Sequence, residues 1–260
     1  MKPNISEFSY GFALTSELIQ SPGMTLTAAP VFPSLYQEGQ AGGGWDVQLT
    51  RPGILLFLQF KLTDFMTRSN CREARDGRLG IPCYRMHLRS SRTSRQHEML
   101  LDLEAAGEEV YYLAPAFHQP EELNAAFLAG LVRSRSVWLR PSEIGPLPDD
   151  RDHHLSFQSP GPGRFFSEPR PLRAGRDFHK VFRHIEQQLR IRGRVSLSRY
   201  HMEELAERLA AVSKKRTDIA QPEKEAAAGA LFRVPPLQRI AYYASVFLDC
   251  QLFVVQEKLV

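Results

Sequence analysis

The chain has 260 residues, of which 43% are hydrophobic and 24% are charged, a composition typical of a globular protein with a sizeable core. Its net charge is +4, and its three cysteines (Cys71, Cys83 and Cys250) form no CxxC pair. This cysteine pattern excludes a disulfide scaffold or a zinc ribbon, and together with an N-terminus that lacks an apolar leader it favours a cytoplasmic location. The most apolar late segment is interrupted by Asp249 and Gln251, so no membrane span is expected.

The predicted elements alternate between helices and strands over the first 140 residues. Ser6 is the expected N-cap of a first helix that runs to about Gln20. The elements expected after it are strands at 46–50 and 54–62 joined at 51–53, an arginine-rich loop at 68–82, a strand from 84, a helix closed by Gly107, a strand at 108–117, a helix at 119–132 and a strand at 136–141.

This order indicates an α/β (α+β) fold with a mixed sheet flanked by helices. The expected domains are a core at 1–145, a Pro/Gly-rich connector at 146–175 and a C-terminal helical region at 176–260, with a short strand at 153–157 inside the connector. Pro235 and Pro236 are expected to open the last helix.

The charge is unevenly distributed along the chain. Between Arg68 and His97 there are eight arginines against two acids, and between Arg164 and Tyr200 there are ten Lys or Arg against three acids. Such blocks suit a polyanion such as nucleic acid, although a solvated charged surface is an equally good interpretation of either block. The residues expected to contact nucleic acid are Arg68, Arg72, Arg75 and Arg78.

Two polar residues lie at the end of the most apolar predicted strand. Since side chains alternate along a strand, Gln59 and Lys61 share one face, and a tight turn near Gly53 would bring Asp46 across from them. Gly42–Gly44 would leave room there for a close backbone or phosphate approach. A structural ion pair between Asp46 and Lys61 is the alternative interpretation.

An Asp followed on the next strand by a Q-x-K triplet resembles the PD-(D/E)XK nuclease superfamily, with Asp46, Gln59 and Lys61 at the matching positions. The sequence departs from the commonest pattern because Trp45, and not proline, precedes Asp46, and because Gln59 replaces an acid. Mrr-like restriction enzymes are similar in the latter respect. The resemblance covers residues 6–140 and implies a restriction-endonuclease-like fold and a hydrolase that needs Mg²⁺ or Mn²⁺.

The resemblance also implies further site residues. Asp46 and Gln59 would hold the metal, with Glu17 of the first helix as an additional ligand, and Lys61 would stabilise charge on the phosphate. Glu38 is a rival of Glu17 for the extra ligand role, and Gln96 is a possible auxiliary residue from the following helix. His153 and His154 are expected at the surface, because adjacent residues rarely bind one metal together.

Three functions remain open from the sequence. The first is a nuclease that acts on DNA, with RNA as a further possible substrate, in restriction or anti-phage defence as the resemblance suggests. The second is a catalytically silent nuclease-like module that binds nucleic acid or a protein. The third is a structural subunit that docks to a protein partner or to a second copy through the apolar C-terminal helix at 244–255.

Overall fold

The computed structural model describes residues 1–20, 24–26, 53–92, 94–158, 163–166, 170–172, 178–213 and 234–257. The helices in these ranges are α1 (Glu7–Ile19), α2 (Arg72–Asp76), α3 (Gln96–Ala105), α4 (Pro120–Leu128), α5 (Pro141–Ile144), α6 (Phe178–Ser196), α7 (Arg199–Ser213) and α8 (Pro236–Leu248). The strands are β1 (Met24–Leu26), β2 (Gly53–Phe60), β3 (Thr63–Met66), β4 (Cys83–Leu88), β5 (Glu109–Pro115), β6 (Ser136–Leu139), β7 (His153–Phe157), β8 (Gly163–Phe165), β9 (Arg170–Pro171) and β10 (Gln251–Glu257). The expected mixed α/β class is confirmed.

The chain divides into two compact units that interleave along the sequence. The first unit comprises Met1–Pro22, Phe60–Arg92 and Tyr111–His184, and the second comprises Gly23–Gln59, Thr93–Val110 and Ile185–Val260. This division differs from the sequential core, connector and helical region expected from composition. It arises because strands and helices distant in sequence pack together.

The helix boundaries follow the local signals in the sequence. The hydroxyl oxygen of Ser6 accepts a hydrogen bond from the amide of Ser9 at 3.0 Å and so caps α1. Gly107, with φ at 96°, follows α3, and Pro236 is the first residue of α8. These helix termini were predicted correctly, whereas the arginine-rich segment expected as a loop contains the short helix α2.

The first unit contains the antiparallel pair β5–β6 and an antiparallel sheet of order β3-β4-β7-β8-β9. Three of these strands, β7, β8 and β9, lie in the segment expected as a connector. Because β7 is an interior strand between β4 and β8, His153 is fully buried and the side chain of His154 is 12% exposed. The prediction that both histidines lie at the surface was therefore wrong.

In the second unit β10 lies between β1 and β2 and is antiparallel to both. The register pairs Gln251 with Leu58 and Gln256 with Gly53, and every residue of β2 is buried. The region expected to be helical to its end therefore contains a buried strand. The apolar residues of 244–255 lie in α8, in the turn after it and in β10, and all of them except Val246 are buried, so this segment does not form the apolar helical docking surface that was expected. Among the described helices none is long and apolar enough to cross a membrane.

Gly53 is required where β2 meets β10. A Cβ at this position would lie 2.7 Å from the carbonyl oxygen of Val255 and 2.5 Å from Cδ1 of Leu197. We expect Gly53→Ala to destabilise the protein by about 1–3 kcal/mol, as overpacking of a core typically does. Urea denaturation measures this change. Gly80→Ala is the control, since its Cβ would approach only the flexible end of Gln158; equal stability losses in the two variants would contradict the expectation.

Candidate functional site

Gln59, near the end of β2, has a buried side-chain amide of which only one polar atom makes a hydrogen bond. The side chain is fully buried, and its Nε2 donates a hydrogen bond to the carbonyl oxygen of Leu248 at 3.3 Å. Its Oε1 is also buried and accepts no hydrogen bond from any described residue. A buried acceptor without a donor costs free energy, which makes this oxygen a candidate ligand atom.

Gln96, the first residue of α3, reaches the same carbonyl. Its side chain is 3% exposed, and its Nε2 donates to the carbonyl oxygen of Leu248 at 2.7 Å. Leu248 ends α8, where backbone carbonyls lack partners within the helix. The two glutamines thus cap the C-terminus of α8, and the structure brings Gln59 and Gln96 together on one acceptor.

Lys61 follows Gln59 by two residues and belongs to the first unit. Its amide donates to the carbonyl oxygen of Leu113 in β5 at 2.8 Å, and the residue is 8% exposed. A buried ammonium group is costly to desolvate, so a lysine here requires a partner or a use. Lys61 is therefore buried, and its catalytic role remains a prediction.

Glu17 is engaged with the backbone of the segment that follows α4. It is 7% exposed, and its two carboxylate oxygens accept hydrogen bonds from the amides of Val132 at 2.8 Å and Arg133 at 2.9 Å. The Nε of Arg133 lies 3.4 Å from the same carboxylate. This geometry gives Glu17 a structural role in the first unit, because its oxygens already satisfy backbone donors.

The arginines expected to contact nucleic acid are exposed. They lie in and around α2, which begins at Arg72, and they are Arg68, Arg72, Arg75 and Arg78. Gly77 ends the helix with φ at 66° and directs the chain back toward β4. Exposed guanidinium groups on a short ordered helix are suitable for contacts with phosphate oxygens.

Glu73 anchors α2 to the sheet of the first unit. Its buried carboxylate accepts from Nε and Nη2 of Arg85 at 2.7 and 2.6 Å and from the hydroxyl of Ser156 at 2.6 Å. The Nε2 of His154 lies 3.5 Å away. Burial by itself raises the pKa of Glu73, but the His154 ring and the hydrogen bonds from Arg85 and Ser156 outweigh burial, so the pKa lies well below its usual range.

The remaining candidate ligands lie outside the described residues. Asp46 and Glu38 belong to the range 27–52, which the structure does not describe. Within the described ranges, no group of three or more His, Cys, Asp or Glu residues is arranged to hold a metal ion. Comparison of the chain with protein-family models, with curated proteins and with solved structures finds no match.

Two features of this region had no detectable signal in the sequence. The carbonyl of Leu248 is a backbone group, and no residue pattern marks which carbonyl will receive side-chain donors. In the sequence, Glu73 is one of only two acids in the basic block 68–97, and nothing in the pattern marks it as buried. Its buried position follows from the pairing of β4 with β7, which places Arg85 opposite Ser156.

Replacement of Glu73 tests whether it anchors α2. At pH 7, Glu73→Gln should destabilise the protein by about 1.5–3 kcal/mol, the range for hydrogen bonds to charged groups. Because the folded pKa is lowered, the stabilisation is complete above the unfolded pKa of about 4.3 and is lost as the pH falls below it.

Urea denaturation between pH 7 and pH 3 measures this dependence. The stability of the wild type should approach that of Glu73→Gln as the pH falls, and a difference that stays constant would contradict the anchoring role. Glu98→Gln is the control, since it removes an exposed pair with Arg95 and should change stability by less than about 1 kcal/mol.

Proposed function

We propose that the chain is a metal-dependent nuclease that hydrolyses phosphodiester bonds of DNA. The observation that supports this most directly is the amide oxygen of Gln59, which is buried and accepts no hydrogen bond from the described residues. The amide nitrogen is occupied by the carbonyl of Leu248, so the oxygen is the atom left to bind a cation. Hard divalent cations prefer such oxygen ligands.

The proposed ligands are the Gln59 oxygen and the carboxylate of Asp46. Glu17 is omitted from this set, because its carboxylate holds two backbone amides in the first unit. Bound Mg²⁺ or Mn²⁺ would polarise the phosphate and lower the pKa of water. Membership of the PD-(D/E)XK superfamily is part of the same proposal and is supported by the spacing of Asp46, Gln59 and Lys61.

Lys61 is proposed to donate to the phosphate undergoing hydrolysis. It follows the proposed ligand Gln59 by two residues in the chain. A donor held in a buried position acts on developing negative charge more strongly than one in water.

The exposed arginines around α2 are proposed to bind the DNA backbone. Arg68, Arg72, Arg75 and Arg78 carry permanent charge, and their contacts with phosphate oxygens carry no sequence information. They would therefore determine affinity and orientation, whereas cleavage depends on the residues of the metal site. A place in restriction or antiviral defence completes the proposal on the strength of the resemblance alone, and a cytoplasmic location on the strength of the sparse, unpaired cysteines.

A catalytically silent nucleic-acid-binding module is the second candidate. It is favoured by the commitment of Glu17 to backbone amides and by the absence of an acidic metal-binding group among the described residues. Salt-dependent DNA binding by the wild-type protein without cleavage in either metal would support this function over the first.

Cleavage of plasmid and linear DNA in Mg²⁺ or Mn²⁺ tests the nuclease. Asp46→Ala should abolish cleavage, because it removes the only proposed anionic ligand. Lys61→Met, which keeps most of the aliphatic stem, should reduce the rate by about 10²–10³, as loss of one positioned donor does.

Lys2→Met is the matched control, since it removes an 82% exposed lysine that pairs with Asp64. Melting curves establish that each variant is folded. Wild-type rates in folded Asp46→Ala or Lys61→Met would show that the site is misassigned.

Replacement of three arginines tests the binding surface. The triple variant Arg72→Gln, Arg75→Gln and Arg78→Gln should weaken binding to all DNA sequences alike. The slope of log affinity against log salt should become shallower, by roughly 0.9 for each lost contact. The control replaces Arg183, Arg190 and Arg199, which are also exposed, and removes the same charge. Fluorescence anisotropy at several salt concentrations measures both. An unchanged slope in the first variant and a lowered slope in the control would move the binding face to α6 and α7.

A further inference from the structure

We infer that Gln96 is a positioning residue that orients the metal-binding oxygen of Gln59 through the carbonyl of Leu248. The inference rests on the proposed function of Gln59 as a metal ligand. It explains why the backbone carbonyl of Leu248, at the end of α8, accepts hydrogen bonds from three side chains. These side chains come from β2, from α3 and from the turn that follows α8.

The three donors differ in their distances from the Leu248 carbonyl oxygen. Nε2 of Gln96 lies at 2.7 Å, Nε2 of Gln59 at 3.3 Å and Sγ of Cys250 at 3.5 Å. Thiols are weak donors, and hydrogen bonds weaken as they lengthen. Gln96 therefore makes the strongest of these hydrogen bonds and does most to fix the position of the carbonyl.

The chain path around Leu248 leaves this carbonyl available to side chains. Asp249 adopts a left-handed conformation with φ at 56°, and the amide of Cys250 donates to the carbonyl of Ala244 at 2.8 Å. This closure satisfies an earlier carbonyl and turns the chain into β10. The register of β10 then places Gln251 opposite Leu58, so the turn lies beside Gln59.

The orientation of the Gln59 amide follows from its contact with this carbonyl. A primary amide is planar, so a nitrogen held by an acceptor determines the direction of the oxygen on the same carbon. Gln96 fixes the position of the Leu248 carbonyl, and this carbonyl in turn fixes the amide nitrogen of Gln59. Gln96 thereby determines the direction of Oε1 of Gln59 without contacting it. Partners of this kind orient metal ligands in many sites, and their loss typically reduces metal affinity by about 10–100-fold.

A purely structural cap makes a different prediction from a positioning residue. Loss of a cap lowers stability and the fraction of folded protein, but it leaves the metal affinity of the folded molecules unchanged. Loss of a positioning residue weakens metal binding in protein that is still folded. Metal affinity measured without DNA separates the two roles and does not depend on catalysis.

The experiment is a titration of the full chain with Mn²⁺, in which free Mn²⁺ is followed by electron paramagnetic resonance. Gln96→Met, which has a similar length and no donor, should weaken Mn²⁺ binding by about 10–100-fold. Cys250→Ala is the matched control, because it removes the weakest donor to the same carbonyl, and it should change the affinity by less than about twofold. If Gln96→Met does not fold, Gln96→Asn, whose amide is one methylene shorter, takes its place with the same expectation.

The outcomes distinguish this inference from the proposed function. Equal Mn²⁺ affinity in folded wild type and Gln96→Met would overturn the positioning role while leaving the nuclease standing. Weakened binding in Gln96→Met, with no DNA cleavage even by the wild type, would support the positioning role and overturn the nuclease. A wild-type protein that binds no Mn²⁺ at millimolar concentration would overturn both.

Discussion

The pairing of β10 with β2 is the constraint on which the second unit depends. Every residue of β2 is buried, and along one edge the strand pairs with β10, which comes much later in the chain. A two-sided apolar strand leaves no solvent for polar groups at its end, so each polar atom there requires a partner within the protein. The close approach of Val255 to Gly53 shows how little space the pairing leaves.

The first unit depends on a different polar arrangement. Glu73 joins α2 to β4 and β7 through Arg85 and Ser156. A buried ion pair contributes little net stability over an apolar replacement, because the attraction of the charges is offset by their desolvation. The ion pair instead fixes the orientation of α2 against β4 and β7, because a five-residue helix is too short to be stable alone. The exposed arginines around α2 therefore project from a fixed support.

Local features of the fold were predictable from the sequence, and long-range ones were not. Ser6, Gly107 and Pro236 act within a few residues of their own helix termini, so their effects can be read directly. The apolar run of β2 predicted a buried strand but not its neighbour, because many apolar segments could cover it. The pairing of β10 with β2 and the burial of His153 both depend on contacts between segments far apart in the chain. The same limit applies to the candidate site, where spacing singled out Gln59 and Lys61 and the resemblance suggested Gln96, but nothing in the sequence pointed to the carbonyl of Leu248.

The structure gives a physical reason for glutamine at position 59, where the commonest pattern of the resembling nucleases has an acid. The carbonyl of Leu248 lies at the C-terminus of α8, where unpaired carbonyls and the helix dipole produce a partial negative charge. An ionised carboxylate in place of Gln59 would face this oxygen without a donor and would be repelled by it. A neutral amide provides a donor for the carbonyl and an acceptor on the same planar group. Gln59 therefore donates to the Leu248 carbonyl and keeps an acceptor oxygen that no described residue uses, whereas an ionised acid at this position has no donor for the carbonyl.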